Sequence, residues 1–220
     1  MNASTSASAS ASAPALPTTD KPTAALRPAI FIDKDGTLIE NVPYNADPAL
    51  LRFMPAAAPT LAALAASGYA LVLVTNQSGL AHGYFTRAQF ALLQAALERQ
   101  LQQATGVRLL DVMVCPHAPG PDGGPACLCR KPAPGMLLGA ARKHGLDLAR
   151  SWMVGDTLDD VEAGLRAGCR SLLFDSGGET VWRTSPLRTP HARCTRWDEV
   201  AHQVRLHDAA RPVPSEAATP

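Results

Sequence analysis

The segment AIFIDKDGTLIE, residues 29–40, decides both the fold class and the chemistry to look for. Its apolar run ends in two aspartates one residue apart, Asp33 and Asp35, followed by Gly36 and Thr37. Side chains of a strand alternate between its faces, so both carboxylates leave the strand end on the same side. Two neighbouring carboxylates repel unless a cation lies between them or one carries a proton. The pattern predicts an Mg²⁺ site, a nucleophile paired with an acid, or both; the alternative is a strand ending in a solvated acidic turn.

Composition limits the classes of partner. The chain has 220 residues, 46% of them hydrophobic, and a formal net charge of +1, which suits one α/β domain with tails. So small a net charge, without a basic stripe, gives no reason to expect nucleic acid as a partner. No apolar run approaches the roughly 18 residues of a membrane-spanning helix. We therefore expect no nucleic-acid or membrane partner, and a monomer is the default expectation.

The first 28 residues differ in composition from the rest. They are rich in Ala, Ser, Thr and Pro, and they resemble neither a secretory signal nor an Arg-rich transit peptide. Such a segment buries too little surface to offset its conformational entropy, so we expect disorder over 1–28 and a cytoplasmic protein. Five cysteines, an odd number in a chain without an export signal, argue against a disulfide framework.

From residue 29 onward, short apolar runs alternate with helical patterns. Strands are predicted at 29–32, 70–75, 109–115, 151–156 and 169–174, with a weak strand at 192–195. Helices are predicted at 55–67, 86–105 with Thr86 as N-cap, 134–144, 158–167 and from residue 198. Apolar strands that alternate with helices indicate an α/β fold, a doubly wound parallel sheet covered on both faces. We expect one domain over 29–205 and a tail over 206–220.

Polar residues follow three of the predicted strands. Asp33 and Asp35 follow the first, TNQS (75–78) ends the second, and Asp156 ends the fourth, with Asp160 one helical turn later. Ligands of open α/β sheets bind outside the carboxyl ends of the strands. The sequence therefore predicts that these side chains form one site at one edge of the sheet.

A second cluster of potential ligands lies in the loop after the third strand. CPH (115–117) is followed, nine residues later, by CLC (127–129), which supplies Cys115, His117, Cys127 and Cys129. Four soft or borderline ligands suit a tetrahedral Zn²⁺ with all positions filled, which is a structural rather than a catalytic site. A bound zinc would also order a loop rich in Gly and Pro. The alternative is a flexible loop with incidental Cys and His.

Four motifs occur in one order: DKDGT (33–37), Thr75 at a strand end, Lys131 in CRKP, and GDTLDD (155–160). Together they resemble the haloacid-dehalogenase-like phosphohydrolases over 30–174. The resemblance implies that Asp33 is a nucleophile that forms an aspartyl-phosphate, and that Asp35 is the general acid and base. It also implies phosphoryl contacts from Thr75 and Lys131, and an Mg²⁺ held by Asp33, the backbone carbonyl of Asp35, and Asp156. Asp160 is expected to orient Lys131.

The zinc-type loop, TNQSG (75–79) and NVPY (41–44) are similar to one branch of that family, the heptose bisphosphate phosphatases, with which histidinol-phosphate phosphatases share much. The resemblance implies an Mg²⁺-dependent enzyme that removes the 7-phosphate of a heptose 1,7-bisphosphate, with Arg130 at the remote phosphate or sugar. Implied substrate contacts are Asn41, Val42, Pro43, Tyr44, Asn76, Gln77, Ser78, Arg130 and Thr157. The interval 37–55 has room for a short flap and not for a large cap.

Two alternatives stay open. One is a histidinol-phosphate phosphatase; the other is a catalytically silent, zinc-stabilised module that only binds a phosphorylated ligand. The intact pair of Asp33 and Asp35 speaks against the silent module, because a binding module has no need of two carboxylates that face an anion.

Overall fold

A six-stranded parallel sheet forms the centre of the computed structural model, which describes residues 26–179 and 181–210. The strands are β1 (Ala29–Ile32), β2 (Ala70–Asn76), β3 (Asp111–Cys115), β4 (Trp152–Gly155), β5 (Arg170–Phe174) and β6 (Ala192–Cys194). Their order is β3-β2-β1-β4-β5-β6, and every neighbouring pair is parallel. This is the order of a doubly wound sheet, so the predicted fold class is confirmed.

Helices cover both faces of the sheet. They are α1 (Ala57–Ala66), α2 (Gly79–His82), α3 (Arg87–Thr105), α4 (Gly135–His144), α5 (Leu158–Ala167) and α6 (Trp197–Ala209). Ile30 and Ile32 of β1 pack in one core with α1, α3 and α6, whereas Ala29 and Phe31 pack in another with α4 and α5. Because β1 is buried on both faces, it must be apolar throughout, which explains the run AIFI. None of the helices within the described ranges has both the length and the apolar character needed to cross a membrane.

The element boundaries differ from the predicted ones by one or two residues in most cases. Thr86 caps α3 as predicted, with Gln89 completing a capping box. The short α2 was not predicted, because four residues show no helical period. No large cap interrupts the described chain: the interval 37–55 forms a flap that contains one 3₁₀ turn, Pro48–Leu50, as expected.

The folded domain extends past the predicted bounds at both ends. The backbone N–H of Arg27 donates to the carbonyl of Gly145 at 3.1 Å. The carbonyl of Pro28, the residue after Arg27, accepts from Ala70 N at 2.9 Å. At the other end α6 continues to Ala209, four residues past 205. The rest of the predicted tails, 1–25 and 211–220, lies outside the described residues.

Tyr69 joins the two ends of this domain. The Arg27 guanidinium donates to the carbonyls of Gly68 and Tyr69, at 3.3 Å each. The Tyr69 hydroxyl donates to the carboxylate of Asp208 in the last turn of α6, with an O–O distance of 2.8 Å. Tyr69 immediately precedes β2, so both ends lie at the edge of the sheet opposite the carboxyl ends of the strands.

Candidate active site

Three buried aspartates and one buried lysine form a cluster at the carboxyl edge of the sheet. Asp33 follows β1, Asp156 follows β4, and Asp160 lies in the first turn of α5; one carboxylate oxygen from each lies within 4.8 Å of the others. The Lys131 ammonium contacts Asp33, lies 2.6 Å from Oδ1 of Asp160, and donates to the Val74 carbonyl at 3.0 Å. The structure thus brings Asp33, Asp156 and Asp160 together at one edge of the sheet, and Asp160 meets Lys131 directly.

Burial dominates the electrostatics of this cluster. It raises the pKa of Asp33 to about 7, with the Lys131 charge opposing and the charges of Asp160 and Asp35 adding to the rise. Burial also raises the pKa of Asp156 to about 8, with further contributions from Asp33 and Asp160. For Lys131 burial acts to lower the pKa, but the two carboxylates beside the ammonium outweigh it and the pKa is raised. Three carboxylates around one ammonium leave excess negative charge, and their hard oxygen donors fit Mg²⁺.

Close approach between backbone and carboxylates explains the glycine in the first motif. Gly36 has φ +82°, a conformation that favours glycine, and a Cβ there would lie 2.2 Å from Oδ2 of Asp156. The next residue, Thr37, donates from its hydroxyl to Oδ1 of Asp156 at 3.4 Å. Sequence reasoning did not assign Thr37 to the site, although its place beside the aspartate pair was a signal.

The Asp35 carboxylate is held separately from the three-aspartate cluster. Lys34 Nζ lies 3.1 Å from Oδ1, and Gln77 Nε2 donates to Oδ2 at 2.9 Å. Gln77 also donates to Oγ1 of Thr75 at 2.8 Å, which links Asp35 to the second motif. Lys34 is 3% exposed, and sequence reasoning missed its place in the site. The available signal was the place of this lysine between the two aspartates of the first motif.

A cavity of about 300 Å³ lies beside Asp35. The flap forms one wall and the segment after β2 forms another; seven of the predicted substrate contacts line it, namely Asn41, Val42, Pro43, Tyr44, Asn76, Gln77 and Ser78. The Tyr44 ring packs edge-on against Tyr84, with 4.6 Å between the ring centroids. The structure therefore brings these seven residues together next to the carboxylate predicted to be the general acid.

The other two predicted contacts do not line this cavity. Arg130 Nη1 donates to the backbone carbonyl of His117 at 3.1 Å. The Thr157 hydroxyl donates to Oδ2 of Asp160 at 2.7 Å and caps the start of α5. Substrate contact by any of the nine residues stays a prediction.

The Cys/His cluster is compact. Cys115, Cys127 and Cys129 have Sγ–Sγ distances of 3.2–3.6 Å, and His117 Nδ1 lies 3.6 and 3.3 Å from Sγ of Cys115 and Cys129. All three thiols are free, and burial raises the pKa of Cys115 to about 12. Three sulfurs and one nitrogen this close together fit a shared tetrahedral ion with metal–sulfur bonds of about 2.3 Å.

The Cys/His loop leads directly into the carboxylate cluster. Arg130 N donates to Sγ of Cys127 at 3.3 Å, and the next residue is Lys131. Asn76 fixes the Lys131 backbone from the sheet side: its Oδ1 accepts from Lys131 N at 3.1 Å, and its Nδ2 donates to Lys131 O at 3.2 Å. The loop and the end of β2 thus position the ammonium together.

Several known proteins are similar to this chain. A family model described as HAD-hydrolase-like matches residues 128–201. A D-glycero-beta-D-manno-heptose-1,7-bisphosphate 7-phosphatase from Yersinia pestis is 40% identical over 159 residues, which are 70% of this chain and 83% of the relative. The enzyme of that name from Escherichia coli K12 is 38% identical, over 75% of this chain and 84% of its own length. A solved D,D-heptose 1,7-bisphosphate phosphatase from B. bronchiseptica, complexed with magnesium and phosphate, is 32% identical with TM-score 0.71, covering 82% and 99% of the two chains.

Proposed function

The chain belongs to the haloacid-dehalogenase-like phosphatases, and from that premise we propose that it removes the 7-phosphate of D-glycero-D-manno-heptose 1,7-bisphosphate through an aspartyl-phosphate at Asp33. The observation that carries the proposal is the buried contact of Asp33 with Lys131, in a chain whose relatives bear that enzyme name. A buried carboxylate beside a fixed ammonium is suited to attack a group that carries negative charge.

The proposed reaction has two half-reactions. In the first, an Asp33 carboxylate oxygen attacks phosphorus, and Asp35 gives its proton to the leaving sugar oxygen. The Lys131 ammonium and the Thr75 hydroxyl donate to the phosphoryl oxygens, which spreads the charge of the transition state. In the second, Asp35 takes a proton from a water molecule that attacks the aspartyl-phosphate, which releases phosphate and restores Asp33.

Metal ions complete the proposal. Asp33, Asp156 and the backbone carbonyl of Asp35 would hold Mg²⁺, which offsets the charge of the phosphate when bound. Cys115, His117, Cys127 and Cys129 would hold a structural Zn²⁺, whose role is to fix the loop that carries Arg130 and Lys131.

The substrate assignment rests on the relatives together with the cavity. A cavity of about 300 Å³ that opens beside Asp35, under a flap and without a large cap, suits a small extended sugar phosphate. The relatives described above bear no histidinol-phosphate name, and the complete set of Asp33, Asp35 and Lys131 disfavours a silent binding module. A cytoplasmic location and a monomeric state stay predictions.

A substrate panel tests the proposal. The Mg²⁺-supplemented enzyme should show its highest kcat/KM on D-glycero-D-manno-heptose 1,7-bisphosphate, with release of one phosphate and retention of the phosphate at C1. Histidinol phosphate, simple sugar monophosphates and 4-nitrophenyl phosphate should follow at lower values. A higher kcat/KM on histidinol phosphate would transfer the assignment to that substrate.

A further inference from the structure

Gln77 is a buried amide that lies between two groups of the proposed reaction. Gln77 is 6% exposed, and its Nε2 donates to Oδ2 of Asp35 at 2.9 Å and to Oγ1 of Thr75 at 2.8 Å. A primary amide has two N–H bonds. Both are therefore used inside the protein, and Gln77 has none left for a substrate although it lines the cavity.

The Asp35 carboxylate fixes which way the amide faces, because an ionised carboxylate only accepts hydrogen bonds. Thr75 is 1% exposed and lies one residue before the end of β2, so its hydroxyl oxygen is held in place as the second acceptor, and its own proton stays available to donate. A rotated amide would turn its carbonyl oxygen toward the Asp35 carboxylate, where two acceptors repel. The observed orientation is thus the one that supplies a donor to Asp35.

The other oxygen of Asp35 has a donor as well. Lys34 Nζ lies 3.1 Å from Oδ1, and its ammonium lies 5.4 Å from the centre of the Phe90 ring. Lys34 is 3% exposed, whereas the Asp35 side chain is 30% exposed and lines the cavity. Each carboxylate oxygen is therefore tied to one buried side chain, while Asp35 stays within reach of a ligand.

We propose that Gln77 is a positioning residue that, together with Lys34, aligns the Asp35 carboxyl with the leaving oxygen, and that it is not a substrate contact. This inference rests on the proposed function, in which Asp35 protonates that oxygen. A misaligned acid slows the reaction most where the leaving oxygen must receive a proton, as the oxygen of a sugar alcohol must. 4-Nitrophenolate is a weak base and leaves without receiving a proton.

Two variants and two substrates test the proposal. Gln77→Leu removes both donors at similar volume, and the isosteric Gln77→Glu replaces the donor by an acceptor. On the heptose bisphosphate, kcat/KM should fall about 10- to 100-fold with little change in KM, because general acid catalysis contributes roughly 10²- to 10⁴-fold. On 4-nitrophenyl phosphate kcat/KM should change less than about 3-fold, since it reports only steps up to loss of the leaving group. With 4-nitrophenyl phosphate, kcat should nevertheless fall and phosphorylated enzyme should accumulate, because Asp35 is still needed as the base that activates water in the second half-reaction.

A matched variant and one more substitution separate the outcomes. Gln94→Leu removes an amide that donates to Glu98 on an exposed face, and it should leave both substrates unaffected. Equal losses of kcat/KM on both substrates, or a loss confined to KM, would overturn the positioning role. Asp35→Asn is measured on the same pair of substrates. If Asp35→Asn lowers kcat/KM on both substrates, the acid role itself fails. If Asp35→Asn keeps kcat/KM on 4-nitrophenyl phosphate alone, but the Gln77 variants do not show this difference between the substrates, the positioning role alone fails.

Discussion

The carboxylate cluster and the Cys/His cluster are both suited to metals, yet they are assembled in opposite ways. Asp33 is distant in the chain from Asp156 and Asp160, and it meets them because β1 and β4 end side by side at one edge of the sheet. The Cys/His ligands come from the single segment 115–129. The carboxylate cluster therefore depends on the whole sheet, whereas the Cys/His cluster depends on local sequence. Lys131 connects them, since it follows the loop and ends among the carboxylates.

The two clusters also differ in charge and exposure. The three aspartates are buried and face a single ammonium, so negative charge is left over for a cation to offset. The thiols of Cys127 and Cys129 are only partly buried, and His117 is exposed. Hard oxygen ligands with charge to spare suit an ion that also binds substrate, and a closed sulfur and nitrogen set suits an ion that only holds structure.

Asp33→Asn should have the largest effect on the carboxylate cluster. An amide oxygen is a far poorer nucleophile, so kcat should fall by several orders of magnitude. Asn is isosteric, so circular dichroism and the zinc content should be unchanged. Assays of kcat on the heptose bisphosphate check this, and appreciable turnover in a preparation free of deamidation would exclude the covalent mechanism.

Removal of zinc should break the Cys/His cluster and leave the sheet folded. Purified protein should contain about one Zn²⁺ per chain, because such sites contribute roughly 10 kcal/mol or more of apparent binding energy near neutral pH. In Cys127→Ser, hydrogen exchange should rise over 115–131, amides of β1 should stay protected, and Mg²⁺ should not restore activity. Cys169→Ala, which changes a buried thiol outside the cluster, should keep the zinc. Reduced protein that lacks zinc but is fully active would contradict the link between loop and Lys131.

Arg130→Ala should have a smaller effect that depends on the substrate. The Arg130 guanidinium uses one donor on the His117 carbonyl, which leaves others for a remote phosphate. A hydrogen bond to a charged group contributes about 1.5–3 kcal/mol, so kcat/KM on the bisphosphate should fall on the order of 10- to 100-fold. Small aryl phosphates lack the remote group and should lose little, and Arg99→Ala on the exposed face of α3 should change neither. Equal losses on both substrates would instead place Arg130 at the transferring phosphoryl group.

The dependence of stability on pH should show the smallest effect. Burial raises the pKa of Asp33 from 3.8 to about 7 and that of Asp156 from 3.8 to about 8. A raised carboxyl pKa means that the folded state binds more protons than the unfolded state, so this stability is fully present below pH 3.8 and is lost as pH rises through 7 and 8. Without Mg²⁺, the Tm of zinc-loaded protein should fall between about pH 6 and about pH 8.5. Added Mg²⁺ should raise Tm by a few degrees more at about pH 8.5 than at about pH 6. An equal rise at both pH values would contradict the excess negative charge of the three aspartates.

The sequence predicted the fold because each element carried its own signal. Apolar strands, Gly-terminated helices and the Thr86 cap sufficed for the order of elements. It also predicted which residues converge, since the ends of parallel strands share an edge. The end of the last helix was harder to predict. Its buried face is formed by Trp197, Val200, Ala201 and Val204, and no residue of the helix after Val204 is buried, so residues 206–209 were predicted to be tail.

Side-chain pairings were the part that could not be predicted. The sequence cannot tell that the Lys34 ammonium is buried against Phe90, or that Gln77 uses both of its N–H bonds on Asp35 and Thr75. These contacts depend on rotamers and on packing between elements far apart in the chain. They decide which residues in the cavity can contact a ligand and which orient other side chains.

The meeting of Arg27 and Asp208 at Tyr69 makes this domain a candidate for circular permutation. A short peptide could join the two ends where they already lie together, at the edge of the sheet opposite the aspartate cluster. New termini at Gly106, an exposed residue between α3 and β3, would open the chain at that same edge. Tags or surface attachment at those termini would then leave the carboxyl edge of the strands facing solution.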